Sequence, residues 1–261
     1  MASPEQAVAL EGRLRGCRNV LTLGVRPNFG DYTAAEADRI RQAETIYYPS
    51  ALYAHLFAAM GKRTFPSWHS YTFAQDKIRQ SALFTLLGIS HPRTRVFYGK
   101  RQMGTLFDYF QFPFVGKIPR GSARGRGVWL IRNPQELTDY TRHTRIAYIQ
   151  EFMPIDRDIR VVVIGGEVVH AYWRIATQGE FCSNLAMGGT IGRDPVPEAA
   201  TCLARHVATA CRWDDVGIDI CIHQGRCYVL EGNMKYGLEG FAHAGIDYTQ
   251  LMERRIGHGT L

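Results

Sequence analysis

Asp219, Glu231 and Asn233 are the residues of this 261-residue chain whose types and spacing point most directly to chemistry. They lie in Val216-Gly-Ile-Asp-Ile-Cys-Ile-His-Gln-Gly-Arg-Cys-Tyr-Val-Leu-Glu-Gly-Asn233, where two alternating apolar runs flank Gln224-Gly225-Arg226. A glycine in a short turn between such runs predicts a β-hairpin. A three-residue loop there sets Asp219 opposite Glu231, and the alternation of side chains along a strand puts Asn233 on the same face as Glu231. Facing carboxylates repel unless something positive lies between them. Two carboxylates and an amide oxygen make a hard oxygen set suited to Mg²⁺, which takes few protein ligands and leaves its other positions to water and phosphates. A solvated sheet face with acids spread by chance is the alternative.

A second group follows Phe112-Pro-Phe-Val-Gly-Lys117, an apolar strand that runs into a loop holding Gly121, Ser122, Gly125 and Gly127. Glycines let backbone N–H groups surround phosphate oxygens, and a nearby lysine adds a point charge. The lysine precedes the glycines, so this is no Walker loop, and GxGxxG is absent. A Gly/Arg-rich loop of this kind can also be a plain flexible connection.

These residues need elements to hold them. Asn19–Val25 reads as a short buried strand, and Thr33-Ala-Ala-Glu36 as a capping box opening a helix through Gln42. A second strand is expected at Thr45–Tyr48, then a helix from Ser50 to Met60 ended by Gly61. Asp76–Gly88 reads as an amphipathic helix with Ile78, Ala82 and Leu86 on its apolar face. A strand begins near Thr94, a hairpin turns at Gly165-Gly166, and Pro197 opens a helix running to about Cys211. Periodicity alone gives an α+β fold with several hairpins.

Composition excludes some classes. The 46% apolar and 21% charged fractions are ordinary for a globular protein. No apolar run reaches the roughly 20 residues a membrane span needs, and the N-terminus has an acid where a signal peptide would be basic. The cytoplasm is the expected address. The six cysteines form no CxxC pair, so Cys182, Cys202, Cys211, Cys221 and Cys227 read as small buried residues. A net charge of +7 favours an acidic partner without choosing one. Arg120, Arg124 and Arg126 form one basic cluster, and Arg13, Arg15 and Arg18 another that reads as a solvated helical face.

Taken in order, Asp76-Lys77, Gly88-Ile-Ser-His-Pro-Arg-Thr94, Lys117 with its glycine loop, Ile149-Gln-Glu-Phe-Met153, Asp158-Ile-Arg160, Arg174, Gly179-Glu-Phe-Cys-Ser-Asn184 with Gly188-Gly189, Gly217-Ile-Asp219, and Glu231-Gly-Asn233 with Gly237-Leu-Glu-Gly240 resemble the ATP-grasp superfamily. The likeness is to the RimK-like carboxylate–amine ligases and covers roughly residues 66 to 256.

That resemblance implies two α+β subdomains gripping ATP: an ATP-grasp domain over 76–261, divided into 76–150 and 151–261, behind a short N-terminal α/β segment over 1–75. Lys77 and Lys117 would meet ATP phosphates under the Gly121 to Gly127 loop. Gln150, Glu151 and Phe152 would form the hinge, with backbone and Glu151 reading adenine, and Asp158 would lie near the ribose. Arg160, Arg174 and Asn184 would stabilise the transferring phosphoryl group. The bland roles are surface ion pairs for the arginines and a turn for the asparagine. Asp219, Glu231 and Asn233 would hold two Mg²⁺ ions bridged by Glu231, with Mn²⁺ as a substitute. The implied partners are a small-molecule or carrier-borne carboxylate and an amino-acid amine. Nucleic acid and membrane are not expected, and a homo-oligomer is left open. An ATP-grasp kinase and a non-catalytic nucleotide- or nucleic-acid-binding protein are the other readings.

The chain also departs from the family. Cys182 and Met187 stand where RimK-like ligases often carry arginines, and Lys235-Tyr236 replaces a small residue and a proline before Gly-Leu-Glu-Gly. An acceptor less acidic than glutamate, or one bringing its own binding surface, is therefore expected.

Overall fold

The computed structural model describes residues 6–121, 127–176 and 189–261. In chain order the strands are β1 (Ala7–Ala9), β2 (Val20–Thr22), β3 (Thr45–Tyr47), β4 (Arg63–Phe65), β5 (Thr94–Tyr98), β6 (Phe114–Lys117), β7 (Val128–Ile131), β8 (Ile146–Glu151), β9 (Arg157–Ile164), β10 (Glu167–Ile175), β11 (Thr190–Gly192), β12 (Asp215–His223) and β13 (Arg226–Asn233). The helices are α1 (Ala34–Gln42), α2 (Ser50–Ala59), α3 (Trp68–Phe73), α4 (Lys77–Leu86), α5 (Gly99–Met103), α6 (Pro134–His143), α7 (Glu198–Cys211), α8 (Glu239–His243) and α9 (Tyr248–Gly257).

Among the described residues these strands form three sheets. The first is parallel, in the order β2-β1-β3-β4. The predicted capping box is present: Thr33 accepts from the Glu36 N–H while the Glu36 carboxylate accepts from the Thr33 N–H, and α1 starts one residue later. Strands β1 and β4 carry no sequence pattern that would predict them, since Ala-Val-Ala and Arg-Thr-Phe are too short to show a period.

The second sheet runs β5-β8-β6-β7, all antiparallel, with Tyr140 of α6 buried against it. The Tyr140 hydroxyl donates to the Lys117 carbonyl at 2.8 Å and accepts from the Tyr148 N–H at 2.9 Å, locking β6 to β8.

The third sheet, β11-β10-β9-β12-β13, is antiparallel and packs its buried strands β9 and β12 against α7 through Ala200, Ala204, Val207 and Ala208. Helix α7 begins after Pro197, which caps it instead of occupying its first turn.

Helix α4 differs from its expected face. Leu86 is 83% exposed and Ala82 is exposed, whereas Gln80, Ser81 and Phe84 are buried. The polar Gln80 is tolerated inside because its amide is fully used. It donates to the Gly232 carbonyl at 2.8 Å and the Phe73 carbonyl at 2.9 Å, and its oxygen accepts from the Gly232 N–H at 2.9 Å.

Cys211 and Cys221 are buried as expected, but Cys202 is exposed and Cys227 half-buried. Cys202 lies on the outward face of α7, and Cys182 falls outside the described residues. No described helix is long and apolar enough to cross a membrane.

Candidate nucleotide and metal site

The hairpin β12–β13 builds the centre of the site. Gln224 and Gly225 both adopt left-handed backbone, φ 49° and 74°, so the turn has two central residues and pairs His223 with Arg226. The predicted three-residue loop is therefore too long by one. The expected pairing still forms, because the register shifts between Asp219 and Ile220, leaving Leu230 as a bulge. Asp219 stands opposite Glu231, and Gly217 opposite Asn233.

Cations surround the two carboxylates. Arg160 on β9 is the register partner of Asp219 from the other side and grips it with two nitrogens, Nε to Oδ1 and Nη2 to Oδ2, the latter at 2.9 Å. Arg174 on β10 forks onto Asp158 at 2.7 Å through both Nε and Nη2, and its Nη2 also lies 2.9 Å from Asp219 Oδ2. All four side chains are buried. A buried charge needs such pairing. The hairpin expected at Gly165-Gly166 forms, and a register shift between Val168 and His170 then brings Asp158 opposite Arg174.

Glu231 belongs to a different set. Lys77, at the start of α4, reaches it at 3.2 Å from Nζ to Oε2. Burial alone would raise the Glu231 pKa, but the charges of Lys77, then Lys117 and Arg160, outweigh it and hold the carboxyl at about 2. Gln80 fixes the geometry by clamping Gly232, the residue after Glu231, to α4. Gly232 must be glycine there, since a Cβ would stand 2.5 Å from the ring of buried Trp213.

The loop after Lys117 is tied to the same helix. Asp76 caps α4 by accepting from the Arg79 N–H at 3.0 Å, and it accepts from Arg120 Nε at 3.0 Å. Backbone bonds from Lys77 N to the Pro119 carbonyl and from Gly121 N to the Gln75 carbonyl run beside it. Gly127 lies at the far root, where its carbonyl accepts from the Ile118 N–H at 2.8 Å. Ser122, Gly125, Arg124 and Arg126 lie outside the described residues, as do Asn184, Cys182 and Met187.

The proposed hinge residues are engaged within the protein. Gln150 is buried and donates to Thr94 Oγ1 at 3.0 Å, while the Glu151 carboxylate accepts from the Arg93 N–H at 2.6 Å. Phe152 is half-buried.

The residues fit a hard cation in one respect and resist it in another. Glu231 is ionised over the whole neutral range and faces Asp219, with Asn233 one pleat away. The Asp219 oxygens are held by guanidinium groups. Among the described residues no three His, Cys, Asp or Glu side chains cluster to hold a metal, so an ion here would draw on the two carboxylates, Asn233 and oxygens from a ligand. Four cations, Lys77, Lys117, Arg160 and Arg174, surround three carboxylates. That excess suits a polyphosphate.

The family model of the RimK-like ATP-grasp domain matches residues 74–256. Ribosomal protein bS6–L-glutamate ligase of Escherichia fergusonii is 31% identical over 226 residues, 84% of this chain and 74% of that protein. N-acetylaspartylglutamate synthase A of Homo sapiens is 32% identical over 166 residues, 60% of this chain, and the chain spans only 42% of its length. Among solved structures, a RimK domain ATP-grasp protein from Sphaerobacter thermophilus superposes with a TM-score of 0.68 at 16% identity, covering 95% of this chain and 98% of that one. The ATP-grasp ligase PsnB, solved with a phosphomimetic variant of its minimal precursor, Mg and ADP, gives 0.71 at 15% identity over 98% and 99% of the two chains. At these identities the likeness is one of fold, the ATP-grasp fold.

Proposed function

Because the chain belongs to the RimK-like ATP-grasp family, we propose that it is an ATP- and Mg²⁺-dependent ligase joining a carboxylate to an amine. The observation that carries this reading is the Asp219–Glu231 pair, placed face to face within reach of Lys77, Lys117, Arg160 and Arg174.

An oxygen of the acceptor carboxylate attacks the γ-phosphorus of ATP, the bond to the bridging oxygen breaks, and ADP leaves. The amine nitrogen then attacks the carbonyl carbon of the acyl phosphate, inorganic phosphate departs with the C–O bond electrons, and the nitrogen loses a proton to leave an amide. Such transfer depends on positioning and charge neutralisation. Lys77 and Lys117 would meet the phosphates, Arg160 and Arg174 would steady the group in transit, and Asn184 would join them. Asp219, Glu231 and Asn233 would hold Mg²⁺, as two ions in this reading. When bound, Mg²⁺ would supply neutralisation of the phosphate charge. The Gly121 to Gly127 loop would cover the phosphates. The Gln150 and Glu151 side chains are already engaged, so base reading falls to the backbone of the Glu151–Met153 segment, with Asp158 acting through Arg174 instead of touching the ribose. Residues 1–75 form a separate α/β unit in this reading, and 76–261 the ATP-grasp domain.

The test is to quantify ADP and free phosphate against candidate carboxylates and amines. A ligase releases both in step only when both substrates are present; ADP without free phosphate would instead identify a kinase.

A further inference from the structure

Lys235 and Tyr236, which depart from the family pattern, are where the parallel sheet meets the metal-facing hairpin. Tyr236 is buried, its hydroxyl donates to Asp215 at 2.6 Å, and its carbonyl accepts from Arg13 Nη1 at 3.1 Å. The Arg13 guanidinium lies 4.7 Å from the ring centres of both Tyr236 and Tyr248. It is thus no part of a solvated helical face. Tyr48 donates to the other Asp215 oxygen at 2.6 Å.

This knot fixes two neighbours. Lys235 Nζ lies 3.6 Å from Glu11 Oε1, and the Tyr71 hydroxyl lies 3.3 Å from Glu11 Oε2. Both contacts are long, and the Glu11 side chain is 26% exposed, so the carboxylate keeps accepting capacity.

The position matters. Glu11 follows the end of β1 and its N–H donates to the Tyr48 carbonyl at 2.8 Å, beyond the end of β3. The sheet order reverses between β1 and β3. The crevice beyond the carboxyl ends of strands at such a reversal is where open parallel α/β sheets bind ligands. The chain leaves β3 through left-handed backbone at two non-glycine residues, Tyr48 at φ 43° and Ser50 at φ 75°, a conformation that costs energy and collects at binding sites. Ser50 is 8% exposed and its Oγ has no hydrogen-bond partner among the described residues. Tyr71 also walls a cavity of about 460 Å³ lined by Gln75, Arg79 and Arg120. The Lys235 N–H donates to Asn233 Oδ1 at 3.0 Å, which joins this crevice to the candidate metal ligands.

We propose that Glu11, Tyr71 and Lys235 form the seat of the amine co-substrate, a zwitterionic α-amino acid with its ammonium on Glu11 and its carboxylate on Lys235. The inference rests on the ligase reading. Glu11 and Lys235 offer opposite charges at the separation of the two groups on one α-carbon. The ligand replaces a weak, half-exposed ion pair with two charge-assisted bonds.

The test uses the full chain saturated with Mg·AMPPNP and titrates each standard amino acid, its N-acetyl derivative and its amide by calorimetry. The expected result is saturable binding of one or more free amino acids. It should weaken at least about tenfold when either charged end of the ligand is blocked, and equally in Glu11→Gln and Lys235→Gln. The Mg·AMPPNP affinity of both variants should stay at the wild-type value. Lys235 is 59% exposed, so its variant folds even if the Glu11 variant does not. Wild-type protein that binds Mg·AMPPNP but no amino acid overturns the site, as do variants that bind the amino acid like wild type. Failure to bind Mg·AMPPNP would overturn the ligase reading, and the site's role with it.

Discussion

Asp219 and Glu231 face each other across β12 and β13, yet each has its own contacting cation: Asp219 is gripped by Arg160 and Arg174, and Glu231 by Lys77. A polyphosphate drawing these cations away would free both carboxylates together. Metal and nucleotide should therefore bind cooperatively. Calorimetry is expected to show weak Mg²⁺ binding to the protein alone and a clear gain in the presence of AMPPNP; equal Mg²⁺ affinity with and without nucleotide would contradict this.

Glu231→Gln removes a charge and almost no volume. Turnover should fall by about 10²–10³-fold, the scale seen on removing one preorganised electrostatic group, while the thermal midpoint changes little. Activity near the wild-type level would exclude Glu231 from the metal set.

The depressed Glu231 pKa sets an acid limit. Its folded value is about 2 against an ordinary 4.5, so the stability it contributes is complete above 4.5 and is lost as pH falls through 2. Urea midpoints measured between those limits should decline with acid, and Lys77→Met should flatten the decline. An unchanged slope in that variant would remove Lys77 as a main cause.

Arg174→Met leaves Asp158 buried without its two-nitrogen partner. Breaking a buried pair in this way costs about 3–5 kcal/mol. Chemical denaturation should show that loss, and Arg174→Lys, which keeps charge but not the fork, should recover only part of it.

Gly232→Ala forces a methyl toward the Trp213 ring. Overpacking of this kind costs about 1–3 kcal/mol, and the loss should appear in the thermal midpoint. Activity should fall as well, because Gly232 ties Gln80 to the strand carrying Glu231.

Local signals in the sequence were sufficient where chemistry is local. The Thr33–Glu36 capping box and the Gly165-Gly166 hairpin follow from turn chemistry and period, whereas the Asp219–Glu231 pairing forms by a shorter turn compensated by the bulge at Leu230. Local signals failed where distant residues decide. Gln80 faces inward because Gly232, 152 residues later, consumes its amide. Arg13 is held by Tyr236 and Tyr248 from the far end of the chain, so its own basic cluster gave the wrong impression. Strand β1 is recognisable only through the neighbours that pair with it. The double duty of Arg174 on Asp158 and Asp219 required knowing that β9 lies between β10 and β12.

The bulge at Leu230 bears on how this hairpin can drift in evolution. Leu230 is the one residue of β13 between Val229 and Glu231 that has no partner on β12. A descendant lacking it would close the strand into a regular ladder, with Val229 still opposite Ile220 and Glu231 still opposite Asp219. Deletion of Leu230 should thus leave the carboxylates facing each other. A relative with a single gap just before the glutamate would keep the same pairing, and an alignment that slides the motif to remove the gap would pair the wrong residues.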